Sequence, residues 1–216
     1  MYKSDSIKPI QYFLYAELDG LSGTLAVTFE KGKIHGLIGR NGSGKTMLMK
    51  CICGFVKPSQ GEIFVAGERI GKDCDFPKNT GIIIETPGFI PYYSGYKNLK
   101  LLAGLNNKIG KQEVREAMEK VGLDPDLKRH VKKYSLGMRQ RLGLAQAIME
   151  GPELLILDEP MNGLDKEGVE DMRKYLLDFK TQGKTILIAS HSSEDIEVLC
   201  DTVHEMDKGV MTAIRE

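Results

Sequence analysis

Apolar and polar positions divide the chain into three stretches. From residue 10 to residue 38 the pattern is extended: Tyr12-Phe13-Leu14-Tyr15, a turn near Asp19-Gly20, alternation through Leu25, Val27 and Phe29, a second turn at Lys31-Gly32, and a strand from Ile34 to Ile38. Helical spacing follows over Thr46 to Cys53 and stops at Gly54, with Pro58 beyond it. Gly61 to Gly67 predicts a hairpin arm, and Gly81 to Ile84 a buried strand. Between about Pro87 and Glu150 helical signals dominate. Gln112 to Val121 places Val114, Ala117, Met118 and Val121 on one face and ends at Gly122, a C-terminal cap. The β pattern resumes at Leu154 to Leu157, at Thr185 to Ala189, and in a terminal pair around Val203 to Ile214. A helix over Lys166 to Gln182 separates the first two. The whole predicts a single domain over 1–216, with an α/β core at about 1–86 and 151–216 and a helical subdomain at about 87–150.

Composition narrows the picture. With 216 residues the chain is long enough to bury one core, and 30 basic residues balance 30 acidic ones, so no bulk charge points to a nucleic-acid partner, although a local basic patch stays open. No apolar run approaches the ~20 residues that span a bilayer and no signal-peptide core is visible. The expected location is therefore the cytoplasm. Cys51, Cys53, Cys74 and Cys200 match neither a zinc spacing nor a Cys-x-x-Cys motif, and are read as free, reduced thiols.

The candidate chemistry lies at the ends of the predicted strands. Gly39-Arg40-Asn41-Gly42-Ser43-Gly44-Lys45-Thr46 follows a strand and opens a helix, the order a phosphate loop requires. Its glycines let successive N–H groups point at a polyphosphate, Lys45 would pair with the β- and γ-phosphates, and Thr46 would ligate Mg²⁺. The run Leu154 to Leu157 delivers Asp158 to Mg²⁺ and Glu159 as the candidate general base. His191 follows the apolar run Thr185 to Ala189, again at a strand end. Ser135 caps a helix predicted from Leu136 to Met149, leaving its hydroxyl and the Gly137 N–H open to an anion.

These motifs, with Tyr134-Ser135-Leu136-Gly137-Met138-Arg139-Gln140-Arg141 ahead of Leu154-Leu155-Ile156-Leu157-Asp158-Glu159-Pro160, resemble the nucleotide-binding subunit of an ATP-binding cassette (ABC) transporter. The resemblance runs from the phosphate loop to about Gly209. It implies an α/β phosphate-loop NTPase (RecA-like) core with an N-terminal antiparallel β subdomain and a helical subdomain. It implies ATP and Mg²⁺ as ligands, transmembrane permease subunits as partners, and a second ABC ATPase subunit, a homodimer, in which Ser135 and Gly137 face the γ-phosphate held by the opposite chain. The location it implies is the inner face of the cell membrane. His191 corresponds to the family's switch histidine. Ser-Leu-Gly-Met-Arg departs from the commonest Ser-Gly-Gly-Gln signature and resembles exporter subfamilies that use Ser-x-Gly-Met. Glu85 stands where the family usually has a metal-sensing glutamine. That exchange resembles bacitracin export and lantibiotic-immunity proteins, and the resemblance favours export of a peptide, antibiotic or other small molecule. In the family Pro87 to Asn98, with Tyr92, Tyr93 and Tyr96, would contact the permease; as aromatics they are equally core candidates. Tyr12 and Tyr15 are both candidates for the aromatic on which the family stacks adenine. The rival readings are a soluble ABC-type ATPase acting on nucleic acid or ribosomes, and a kinase sharing only the phosphate loop.

Overall fold

A computed structural model describes residues 11–17 and 25–216. The turn expected near Asp19-Gly20 and the side chains of Tyr12 and Tyr15 lie outside what is described. Two sheets carry the architecture. Strands β1 (Gln11–Glu17), β2 (Leu25–Glu30), β4 (Gln60–Val65) and β5 (Glu68–Arg69) form an antiparallel sheet in the order β2-β1-β4-β5. The second sheet runs β10-β9-β3-β8-β7-β6, from β10 (Val210–Arg215) and β9 (Thr202–Asp207) through β3 (Ile34–Ile38), β8 (Thr185–Ala189) and β7 (Leu154–Asp158) to β6 (Thr80–Ile83). All its pairings are parallel except β9 with the edge strand β10.

β3, β7 and β8 are buried along nearly their whole length, as their unbroken apolar runs require when both faces of a parallel sheet are covered. Their side chains alternate between two cores. Leu155, Leu157, Ile186 and Ile188 join Leu99, Val114, Met118 and Leu142 of the helical block on one face. Leu154, Ile156, Leu187 and Ala189 join Leu37, Leu48 and Met49 on the other.

Helix α1 (Lys45–Ile52) follows β3 directly. The helical block consists of α2 (Gly95–Asn106), α3 (Lys111–Lys120), a 3₁₀ turn at Val131–Lys133, and α4 (Leu136–Ile148). α5 (Lys166–Thr181) and α6 (Ser193–Leu199) return the chain to the sheet. α6 has no counterpart in the sequence reading. Seven residues give too short a period to stand out, and the helix starts on Ser192, whose side chain accepts from the Asp195 N–H at 3.2 Å. The hairpin arm predicted over Gly61 to Gly67 turns at Ala66 and Gly67, both at positive φ (52° and 84°), as a tight two-residue hairpin demands.

Among the segment's aromatics, Tyr92 is exposed, whereas Tyr96 packs on the core. Buried Asn98 pins this segment, accepting from the Ile90 N–H at 2.7 Å and donating to the Ile90 carbonyl at 3.2 Å. All four cysteines are free, and burial pushes the Cys53 and Cys200 thiols up to about 12, out of reach of ordinary thiolate chemistry.

Candidate functional site

The C-terminal ends of β3, β7 and β8 open into one cleft of about 490 Å³, where an open parallel sheet offers its ligand crevice. It is lined by the loop from Asn41 to Thr46 and by Lys50, Glu85, Asp158, Glu159 and His191. The loop leaves β3 at Gly39, with φ 140°, and a Cβ there would lie 2.2 Å from the Met206 carbonyl oxygen, so only glycine fits against β9. Gly44, left-handed at φ 111°, turns the chain into α1, and no side chain caps the helix, so its first N–H groups face the cleft. Ser43 is buried with its hydroxyl unpartnered. Lys45 is buried too, and its ammonium donates to the Gly39 and Arg40 carbonyls at 2.7 and 3.2 Å, which holds the cation over the loop it belongs to. Arg40 itself is exposed at the loop's outer edge.

Across the cleft, Thr46 Oγ1 donates to Asp158 Oδ2 at 2.6 Å, joining residues 112 positions apart. The donor set here is oxygen only, and among the described residues no group of three or more His, Cys, Asp or Glu side chains gathers around a point. Such a pair suits Mg²⁺, which takes one or two protein oxygens and keeps water and substrate phosphates for the rest, better than an ion that needs an all-protein cage. Glu85, at φ 61°, sits on the same wall with Oε1 2.6 Å from the Lys50 ammonium.

Glu159 is held in an unusual backbone conformation, φ 51°. Its N–H donates to the Ala189 carbonyl at 2.9 Å, its own carbonyl accepts from the Asn162 N–H at 3.2 Å, and buried Gln140 reaches from α4 to the Glu159 and Pro160 carbonyls at 3.4 and 3.0 Å. The backbone is thus fixed from β8, from its own loop and from the helical block. Its side chain meets His191 twice. The His191 N–H donates to Oε2 at 3.4 Å, and Nε2 lies 3.1 Å from Oε1, although Oε1 is buried without an aligned hydrogen bond. Burial raises the Glu159 carboxyl above its ordinary value, and the His191 charge opposes that rise.

The loop bearing His191 is braced from behind. Ser190 Oγ accepts from the Ser192 N–H at 3.1 Å and donates to Asp195 Oδ2 at 3.3 Å. Asp195, almost fully buried, receives Arg173 of α5 at 2.5 and 2.8 Å, and Arg173 also reaches Glu194 at 3.0 Å. These carboxylates hold the guanidinium protonated well above its ordinary range. The sequence reading missed Gln140, Arg173 and Asp195. Gln140 lies inside the signature run and was within reach, but Arg173 is 22 positions from its partner and gives no local signal.

Ser135 and Gly137 do not join the cleft. Ser135 is exposed and accepts from the Met138 N–H at 3.2 Å, capping α4. A Cβ at Gly137 would lie 2.5 Å from the Gly163 carbonyl, so the start of α4 packs against the loop that follows Glu159. Arg141, one turn on, donates to the Val121 carbonyl at 2.8 Å and to Asp165 Oδ1 at 3.3 Å, tying α3 to the cap of α5.

Comparison with known proteins fits this geometry. The family model for ABC transporters matches residues 23–162. An uncharacterized ABC transporter ATP-binding protein of Bacillus subtilis (strain 168), YybJ, is 45% identical over 185 residues, which cover 86% of this chain and 85% of the relative. The bacitracin transport ATP-binding protein BcrA of Enterococcus faecalis is 44% identical over 83% of this chain, which spans 59% of BcrA. Two further relatives are likewise spanned over only 60% and 63% of their length. The dimeric post-hydrolysis structure of the ATP-binding cassette MJ0796 bound to ADP and Pi superposes with a TM-score of 0.80 over 97% of this chain and 98% of that one, at 17% identity, and so shares the fold. From its motifs, its sheet order and these relatives, the chain belongs to the ABC transporter family, as one of its ATP-binding, ATP-hydrolysing subunits.

Proposed function

We propose that the chain powers a membrane transporter, an exporter of a peptide, antibiotic or other small molecule, by binding MgATP between two copies of itself and hydrolysing it. The carrying observation is the division of the site. Asn41 to Thr46, Glu85, Asp158, Glu159 and His191 line one cleft, while Ser135 and the exposed start of α4 lie outside it. A second copy, turned head to tail, supplies what each half lacks.

In this reading the N–H groups of residues 39–46 and the Lys45 ammonium hold the β- and γ-phosphates. Thr46 and Asp158 hold Mg²⁺, with Glu85 as a further oxygen once it leaves Lys50. When bound, Mg²⁺ neutralises charge on the phosphate oxygens. Glu159 takes the proton of the attacking water while the bond from the γ-phosphorus to the bridging oxygen breaks, giving ADP and phosphate. His191 orients the Glu159 carboxylate and meets the γ-phosphate. Ser135 and the Gly137 N–H of the second copy complete the anion site and open again on phosphate release.

The partners are transmembrane permease subunits, and the location is the inner face of the membrane. Among the described residues no helix is long and apolar enough to cross a bilayer. The relatives' names favour transport over the soluble nucleic-acid or ribosome ATPase; the bacitracin transport protein supports the substrate class. Tagging the chain in its native cell, solubilising membranes in mild detergent and identifying what co-purifies tests the proposal. A multi-helix membrane protein is expected. Recovery with ribosomes, DNA or no partner would overturn it.

A further inference from the structure

Two ion-paired residues of α5, Lys180 and Arg173, hold the segment that follows β8, and they differ in what they hold. Lys180 pairs with Asp201, whose other oxygen accepts from the Ile34 N–H at 2.8 Å, so this pair fastens the helix to the sheet. Arg173 sits about two turns earlier and reaches the opposite end of α6. Its Nε and one terminal nitrogen converge on Asp195 Oδ1, at 2.8 and 2.5 Å, which leaves Oδ2 to the Ser190 hydroxyl at 3.3 Å. One carboxylate oxygen thus faces the helix and the other the loop.

This cluster closes on both sides of His191. Buried Ser190 accepts from the Ser192 N–H at 3.1 Å, and the Ser192 hydroxyl in turn accepts from the Asp195 N–H at 3.2 Å. His191 stands between two residues that are both anchored to Asp195. Its own side chain is 48% exposed, and among the described residues its ring has one polar partner, Glu159 at 3.1 Å. A ring that open is not held by packing, so its position is inherited from the backbone of residues 190–192.

Energetics point the same way. The Arg173 and Asp195 side chains are 14% and 4% exposed. The attraction within a buried ion pair does little more than offset its desolvation, and an apolar pair of the same volume would stabilise the contact of α5 with α6 at least as well. What an apolar pair cannot supply is a second carboxylate oxygen aimed at Ser190.

We propose that Arg173 is a positioning residue for ATP hydrolysis, which through Asp195 and Ser190 fixes where the His191 ring meets Glu159. The inference rests on the reading of His191 as the group that orients the Glu159 carboxylate. Arg173 itself does not line the nucleotide cleft.

Labelling the histidines of the purified full chain with ¹³C and ¹⁵N tests this without turnover. Four rings give signals, those of His35, His130, His191 and His204, and His191→Ala identifies its own. Arg173→Met and Ser190→Ala should move or split the His191 signal, whereas Lys180→Met, which breaks the other α5 pair, should leave it in place. Steady-state hydrolysis gives the second readout. Arg173→Met should lower kcat at least about tenfold with KM for MgATP within about twofold, Arg173→Lys should recover most of the rate, and Lys180→Met should turn over as wild type. Added to His191→Ala, neither Arg173→Met nor Ser190→Ala should cost anything further, because the group they position is gone. Should Arg173→Met fail to fold with Asp195 left unpaired, Ser190→Ala keeps the ion pair and carries the same comparison, with a loss of about three- to tenfold. An unmoved His191 signal in the folded variants, an equal loss of kcat in Lys180→Met, or losses that persist in full on top of His191→Ala would overturn the inference and leave the hydrolytic role of His191 standing. If His191→Ala turned over as wild type, that role would itself fail, and the inference with it.

Discussion

The phosphate-loop cleft and the start of α4 carry the same kind of equipment, N–H groups and hydroxyls at a helix N-terminus, but in opposite states of completion. In the cleft each charged group already has a partner from another element: Lys45 the loop carbonyls, Thr46 the Asp158 carboxylate, Glu85 the Lys50 ammonium, and Glu159 the His191 ring. At α4 the Ser135 side chain serves only its own helix and stays exposed beside Leu136, which is 57% exposed. The first region is organised within one chain. In the proposed reading the second waits for another. Binding and hydrolysis should therefore separate by mutation, cleft changes acting on the isolated chain and α4 changes only on the pair.

The largest break should come from Glu159→Gln. It keeps the shape of a half-buried side chain but removes the proposed base, so ATP turnover should fall about 10²–10⁴-fold, while MgATP should drive the chain into a dimer measurable by size exclusion. A variant that stays monomeric at saturating MgATP would break the head-to-tail scheme. Lys45→Ala acts earlier. Losing a charge-assisted bond to phosphate should weaken nucleotide binding about 10- to 100-fold in the isolated chain and abolish turnover, as titration with a fluorescent ATP analogue would register.

Ser135→Ala sharpens the contrast from the other side. Nucleotide affinity of the monomer should stay unchanged and dimer formation should fail, with a loss of about 1 kcal/mol of stability from the missing cap, read in a denaturant titration. Weakened binding in the monomer would place Ser135 within the cleft after all.

The smallest effect concerns pH. Burial lifts the Glu159 carboxyl above its ordinary 4.5, and His191 opposes the lift. A base must be ionised, so turnover should fall on the acid side through a value above that of a free carboxylate. In His191→Ala the acid limb of the residual rate should move to still higher pH. Stability follows with the matching sign. A carboxyl whose folded value is raised contributes its full stability below the unfolded value and loses it as pH rises through the folded one. Glu159→Gln should thus melt above wild type near neutral pH, by no more than about 2–4 °C, and level with it near pH 4.

The charge sorting of the helical block, with four lysines and no Asp or Glu over residues 86–112, is written in the sequence, but overall neutrality hides it. Folding places Lys97 beside Tyr93 and Lys132 beside Tyr92, so that two segments form one face.

The sequence by itself determined whatever depends on neighbours in the chain. Glycines around Lys45 and Thr46, an apolar run ending at Asp158 and Glu159, another ending before His191, and a serine ahead of a helical period each encode a loop or strand end with its chemistry attached. Those are local properties of backbone freedom and side-chain period. Tertiary structure alone decided which of them meet. Thr46 finds Asp158 across 112 positions and His191 finds Glu159 across 32, because parallel strands bring their C-terminal ends to one edge whatever the length of chain between them, while Arg173 finds Asp195 across 22 where α5 meets α6. The same packing turns Ser135 and Gly137 away from that edge, and no local pattern records the direction in which a helix end faces.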